Sequence, residues 1–466
     1  MKKLSIPLSL LLILSLFLSL TVSASADFSA SVTLGDKVGE FVEAESGYTR
    51  FGDSGITYND PNGKESLLDF LGNNPFGRSF HNVENVQADL FTLQDYSLLP
   101  NMTSLVRPDG TILFENAAIV KTTGNPRYLR VIYATEEVSN KEDCYLFFHE
   151  SDELFSIRLE PDQGDMMYAG YSLVYDLQEE RFVENVRLDD AADYLYFVGD
   201  NILVDYAYGS GKEDELYRPD GSQIELPDSY YQGYGVFYTR TEANTYLIYD
   251  ENLNPITELD FSPTRIYFGG TVFARENEKK EVYELVRADG SAFSSVVFEY
   301  APDEQNGFLV GHNDKDQYAV ISQEGKTLIS FSDKADYVYP IENGYGLFQV
   351  NYKNEDSGIL YPDGRVNKLK ERMDNDLCEL VNNNGKAEVF LLNTAKYVKM
   401  DGYVSSVGPM MFSLRDSDGN YGLYSAADGS QLLPQAYRGF SYSNGYLYAK
   451  IDSHTYEVYP VSITVD

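Results

Sequence analysis

Four histidines, His81, His149, His312 and His454, are the only imidazoles in this 466-residue chain, and no two stand at a spacing that would put both on one metal ion. His312 lies in Gly311-His312-Asn313-Asp314-Lys315-Asp316, a polar stretch in which an ordinary turn residue is expected. Asp416-Ser417-Asp418-Gly419-Asn420 places three oxygen-bearing side chains at alternate positions, as a calcium loop begins. Tyr421 stands where the next glycine is required and no Glu closes the loop, so turn chemistry accounts for it. The 73 acidic residues are numerous enough that some carboxylates will face each other as in a glycosidase, but no spacing singles out a pair.

The nucleophile motifs fare no better. Gly52-Asp53-Ser54-Gly55 has the order of a serine-protease nucleophile segment, yet the further Gly-Pro is missing, and a turn is expected. Gly209-Ser210-Gly211-Lys212 lacks the spacing and following helix of a phosphate loop. Asn101-Met102-Thr103 is a glycosylation sequon that bacterial-style export would leave unused. Cys144 and Cys378 each lie in an apparent strand, 234 residues apart. In an exported chain they could pair, but nothing in the spacing brings them together, and two separate buried thiols are favoured. No catalytic, cofactor-binding or metal-ligating residue is assigned, and no cofactor is expected.

The elements that would carry any site are short strands. Asp418 to Ile451 contains the strand Gly422-Leu423-Tyr424, a turn at Asp428-Gly429, the return Leu432-Leu433-Pro434, and after Tyr437 and Phe440 a second turn, Asn444-Gly445, into Tyr446-Leu447-Tyr448-Ala449-Lys450. Asp-Gly and Asn-Gly suit tight hairpins because glycine adopts positive φ without a Cβ clash. Turn glycines of this kind recur at Gly63, Gly110, Gly221, Gly290, Gly325, Gly364 and Gly429. Read as ten intervals from first to last, they give a repeat of about 37 residues, within the range of propellers and solenoids. Degenerate turns fill the skipped positions at 175–178, 249–254 and 391–395.

Tyr421-Gly422-Leu423-Tyr424, Asp428-Gly429, Leu432-Leu433-Pro434 and Tyr437 together resemble the repeat of the WG-repeat family of bacterial proteins, with partial copies at 343–348 and at 318–325. The chain has no Trp, so Tyr stands where that family places its name residue. The resemblance implies a β-rich repeat architecture and no particular activity.

At the start, Met1-Lys2-Lys3, the apolar run Leu4 to Val22 and Ala24-Ser25-Ala26 predict a signal peptide over 1–26. Residues 27–466 then form one continuous repeat body, released or loosely held at the cell surface with no stable membrane insertion. Losing Lys2 and Lys3 takes the net charge from −37 to −39. Such a surface repels nucleic acid and anionic membranes. Disorder is excluded by 39 Tyr and 26 Phe, which pack well on pleated strands.

An all-β repeat fold follows: a β-propeller, either one large ring or two in tandem because ten or eleven repeats exceed the usual blade number, with a β-solenoid-like array as the alternative. Ser66 to Leu71 and Lys368 to Met373 are the segments with helical character. Phe28 to Leu34 is expected to complete a blade with the final strand near Tyr456 to Val461. The functional expectation is a non-enzymatic scaffold that binds a protein or glycan outside the cell. The alternative is a secreted carbohydrate-active hydrolase with carboxylates lining a central channel.

Overall fold

The computed structural model describes residues 28–465 except 45, 96–102, 139–153, 159–164, 189–193, 207–210, 228–229, 234–235, 342–345, 354–355, 375 and 384. Among the described residues there are eleven small antiparallel sheets, most of four strands, and a single three-residue 3-10 turn, Phe331–Asp333. They form one 11-blade β-propeller. In chain order the blades span 48–80, 82–117, 119–188, 194–224, 231–259, 265–298, 303–329, 335–369, 380–401 and 403–437, with blade 11 built from 439–465 and the N-terminal strands Ala30–Leu34 and Gly39–Val42.

One ring with one repeat per blade replaces the tandem and solenoid alternatives. Neither helical candidate forms a helix. Glu65–Leu68 is a strand with three buried residues in a row, followed by a turn at 69–73. Lys368 and Leu369 end the strand Val366–Leu369. In both, the apolar residues that suggested a helical stripe meet neighbouring blades instead.

The repeat pitch is set by the outer turn of each blade. Gly72, Gly110, Glu180, Gly221, Leu253, Gly290, Gly325, Gly364, Ala395 and Gly429 occupy this turn in blades 1 to 10, and all have positive φ. The three degenerate turns are therefore real turns: Glu180, Leu253 and Ala395 hold the left-handed conformation without glycine, at φ 51°, 61° and 51°. Two intervals need correction. Gly63 belongs to the inner hairpin of blade 1, where Asp60 Oδ1 accepts the amides of Asn62 and Lys64. The same loop chemistry recurs in the outer turn of blade 5, where Asp250 Oδ1 accepts from Asn252 and Asn254, so a turn glycine does not reveal which hairpin it serves. The 111 residues between Gly110 and Gly221 hold two blades rather than three, because blade 3 carries an extension between its long strands Tyr128–Val138 and Asp165–Asp176.

Closure is made by the two chain ends. Ala30–Leu34 pairs antiparallel with Val461 to Val465, and Gly39–Val42 pairs with Thr455 to Val458. The expected closing strand is thus correct, displaced along the last strand by a few residues.

The core is a circle of clusters at the seams between blades, one of which runs through blades 8 to 11 and takes in Phe28, Ala30 and Val32. Phe41, Ile56, Leu68, Tyr448 and Val458 join blade 11 to blade 1, and Leu67, Phe80, Phe91, Leu93 and Val106 join blade 1 to blade 2. Middle strands are buried on both faces and show no in-and-out alternation, as in Phe308–His312 and Met411–Arg415, each with four buried residues in a row. Each fully buried Leu or Phe contributes about 1.5–3 kcal/mol. Buried tyrosines also staple seams by donating to a carbonyl of the next blade: Tyr128 to Asp200 (2.6 Å), Tyr361 to Leu392 (3.0 Å) and Tyr448 to Phe70 (3.1 Å).

Candidate functional site

The first strand of each blade lies innermost and has a neighbour on one side only, so its side chains alternate between seam and open space. Tyr194–Val198 and Tyr403–Gly408 show this alternation. Among the described residues seven tyrosines are exposed: Tyr48, Tyr194, Tyr196, Tyr231, Tyr300, Tyr337 and Tyr403. Six lie on innermost strands, and Tyr300 lies just before the innermost strand Asp303–Gln305. A residue type that elsewhere packs or staples seams is therefore displayed selectively along the inner wall.

Five aromatic rings assemble where blades 6, 7 and 8 meet. Tyr300 lies 5.1 Å from the His312 ring, His312 5.5 Å from Tyr318, Tyr318 5.6 Å from Tyr337, and Tyr337 5.2 Å from Tyr339. The Arg372 guanidinium covers the Tyr339 ring at 5.2 Å. These rings border a cleft of about 640 Å³ whose walls also include Arg265, Pro302, Asp303, Gln305 and Gly311. Gly311 is required there: a Cβ would come within 2.7 Å of the Phe298 ring and 2.9 Å of Pro302. Arg265 is ion-paired with Asp303 and donates to the Pro302 carbonyl at 3.1 Å, which neutralises the one guanidinium in the wall. Gln305 Oε1 is buried without a hydrogen-bond partner. Burial, with Tyr337 and Asp316 adding, pushes the Tyr318 phenol up, so it stays a neutral donor.

His312 is thus placed at the end of a strand between two tyrosine rings, rather than as an isolated turn residue. The other sequence candidates remain apart. His149, Cys144, Asn101, Met102, Gly209 and Ser210 lie outside the described residues. His454 is in a turn, its amide donating to Asp452 Oδ1 at 2.9 Å. Asp53, Ser54 and their glycines form a hairpin closed by Gly52 N to Gly55 O. Asp416 Oδ1 accepts the amides of Asp418 and Asn420, which consumes the first oxygen of the calcium-like series. The Cys378 thiol is buried, 3.4 Å from the Met411 carbonyl.

Carboxylates do gather at one place. In the segment leading into blade 9, burial is the main reason the carboxyls of Asp374, Asp376 and Glu379 are all pushed up, with Asp376 adding to Asp374 and Asp53 adding to Asp376. Each has a structural partner: Asp374 Oδ1 accepts from the Cys378 amide, Asp376 accepts from the Ser406 hydroxyl, and Glu379 accepts from the Tyr397 hydroxyl and the amides of Lys370 and Glu371. Glu379 is fully buried, out of reach of any substrate.

No family model and no curated protein matches this chain. Solved structures similar to it include the computationally designed Ika8 protein, at 9% identity over 91% of this chain and all of that one with a TM-score of 0.23. BamB from Moraxella catarrhalis is similar at 8% identity over 92% of this chain and all of that one, with a TM-score of 0.22. A eukaryotic initiation factor is similar at 8% identity over 90% of this chain and 98% of that one, with a TM-score of 0.30. These likenesses carry no argument about activity.

Proposed function

We propose that this chain is an exported, non-enzymatic binding scaffold of WG-like repeats that holds a glycan or protein ligand against the tyrosines of its inner strands, outside the cell. The observation that carries the reading is the segregation of exposed tyrosines to those strands. Tyrosine offers a rigid, flat, partly apolar contact with a hydroxyl at its tip and loses little entropy on binding. The signal-peptide pattern over 1–26 supports the location, and the high acidic charge argues against polyanionic partners. The test is to incubate residues 27–466 with a panel of cell-wall and plant polysaccharides and with purified surface proteins, following both retention and release of fragments. Saturable retention with no released product is expected; a panel that shows neither would end the reading.

Asp374 and Asp376 favour a second reading, a hydrolase, because a carboxyl with raised proton affinity beside a second carboxyl is the pairing from which acid catalysis on glycosides is built. Release of fragments by the native chain, abolished in Asp376→Asn, would establish it in place of the first.

A further inference from the structure

Resting on the binding-scaffold reading, we infer that the cleft at the junction of blades 6, 7 and 8 is the subsite for a neutral oligosaccharide chain, whose successive sugar rings lie along Tyr300, His312, Tyr318, Tyr337 and Tyr339. Each ring lies 5.1 to 5.6 Å from the next, comparable to the length of one sugar residue, with successive planes tilted by 35° to 65°. A pyranose presents one face of C–H bonds with partial positive charge, which is attracted to the negative face of an aromatic ring, while its hydroxyls point outward to polar partners.

Such partners are present. Gln305 lines the cleft, and its Oε1, without a partner within the chain, gains one from a sugar hydroxyl once the side chain turns outward. Tyr318, held neutral, can donate.

Charge selects the class of sugar. Arg265 is already matched by Asp303, the Arg372 guanidinium lies against the Tyr339 ring at one end of the run, and the chain as a whole carries −37. A polyanionic glycan therefore meets net repulsion. The cleft is also open and edged with polar groups, unlike the deep apolar pocket that anchors a peptide side chain.

The test is calorimetric titration of residues 27–466 with cellohexaose, xylohexaose, maltohexaose and chitohexaose, and with the disaccharide of each. At least one hexasaccharide is expected to bind, more tightly than its disaccharide. Tyr337→Ala, at a half-exposed position, is expected to weaken it about ten-fold, equivalent to about 1.4 kcal/mol. Tyr337→Phe is expected to retain most of the affinity, and Gln305→Leu to lose several-fold. Tyr48→Ala, on the inner strand of blade 1, separates this subsite from the other inner-strand tyrosines, and Ile112→Ala, exposed on the outermost strand of blade 2, serves as the control and leaves affinity unchanged. Binding that is lost in Tyr48→Ala but kept in Tyr337→Ala overturns this subsite and leaves the scaffold reading standing. Failure of all four hexasaccharides also overturns it, and the scaffold reading then rests on protein ligands. Equal affinity for disaccharide and hexasaccharide overturns the extended run.

Discussion

Asn393 clasps the backbone of Ala30: its Oδ1 accepts the Ala30 amide at 2.7 Å and its Nδ2 donates to the Ala30 carbonyl at 2.8 Å, across 363 residues of chain. Ala30 begins the strand that completes blade 11, whereas Asn393 lies in the outer turn of blade 9, beside Ala395. The amide side chain therefore does for the end of an outermost strand what a further strand would do, satisfying both polar groups of one residue. Phe28 extends the attachment to blade 8, its ring 5.2 Å from Tyr361.

Removing that clasp should loosen closure of the ring. Asn393→Ala leaves a donor and an acceptor of Ala30 without partners, which is expected to lower stability by about 1–3 kcal/mol. Asn393→Asp should also be destabilising, since it sets a second oxygen against the Ala30 carbonyl. Urea unfolding followed by tyrosine fluorescence reads both, and midpoints indistinguishable from the native chain would refute the role.

Two turns of nearly the same sequence make a sharper comparison. Arg218-Pro-Asp-Gly-Ser222 and Arg287-Ala-Asp-Gly-Ser291 both put glycine at positive φ, 83° at Gly221 and 76° at Gly290. A Cβ at Gly290 would meet nothing within 4 Å, but one at Gly221 would lie 2.3 Å from the Glu184 carbonyl oxygen in the preceding blade. Gly290→Ala should therefore cost only the left-handed backbone term, about 1 kcal/mol. Gly221→Ala adds a backbone collision and should cost at least about 1 kcal/mol more. Equal losses in thermal denaturation would mean that the seam between blades 3 and 4 yields freely.

The same two residues indicate what was legible in the sequence and what was not. Turn chemistry is local, so Gly221, Gly290 and even the glycine-less Leu253 turn could be located, and with them the strands and the pitch. The function of each hairpin within a blade is not local, which is why Gly63 was assigned to the wrong series. Ser66 to Leu71 has helical character in sequence because its first half, a strand buried on both faces, has no alternation to display. The cleft was hidden for a related reason. Tyr337-Val338-Tyr339 and Tyr446-Leu447-Tyr448 have the same spacing, yet Tyr337 is half exposed and Tyr446 only partly so, while Tyr448 is 1% exposed against the partly buried Tyr339, because the first triplet lies on the first strand of its blade and the other on the second. Tyr300, His312, Tyr318 and Tyr337 come from three repeats, so no single repeat contains the site.

Between blades 3 and 4 an ion pair is buried. Arg127 grips Asp176 through Nε at 3.0 Å and a second nitrogen at 2.7 Å and reaches Asp200 of blade 4 at 2.6 Å, while the Asp176 side chain is only 1% exposed. Arg127→Met strands a carboxylate away from water and should cost about 3–5 kcal/mol. Asp176→Asn in the same chain removes that charge and keeps an acceptor for the amides of Gln178 and Glu179, so the double variant should recover a large part of the loss. A double variant no more stable than Arg127→Met alone would show that packing of the guanidinium, and not the buried charge, is what matters.

Glu379 allows a prediction whose sign depends on pH. Burial pushes its carboxyl above the ordinary value, so the folded chain holds the proton more tightly than the unfolded chain does. At a pH below the unfolded value, about 4.3, both states are protonated and the residue favours neither. As pH rises beyond that, the unfolded chain ionises first, so a penalty on folding grows until pH passes the folded value and then stays constant. Glu379→Gln removes the titration while keeping an acceptor for the amides of Lys370 and Glu371, both at 2.7 Å. The variant should therefore be more stable than the native chain near neutral pH, with the gain shrinking toward zero in acid. A pH series of unfolding midpoints decides the matter: a variant weaker than the native chain at neutral pH, or a gain that increases toward acid, would mean that the hydrogen bonds to the ionised carboxylate outweigh its desolvation.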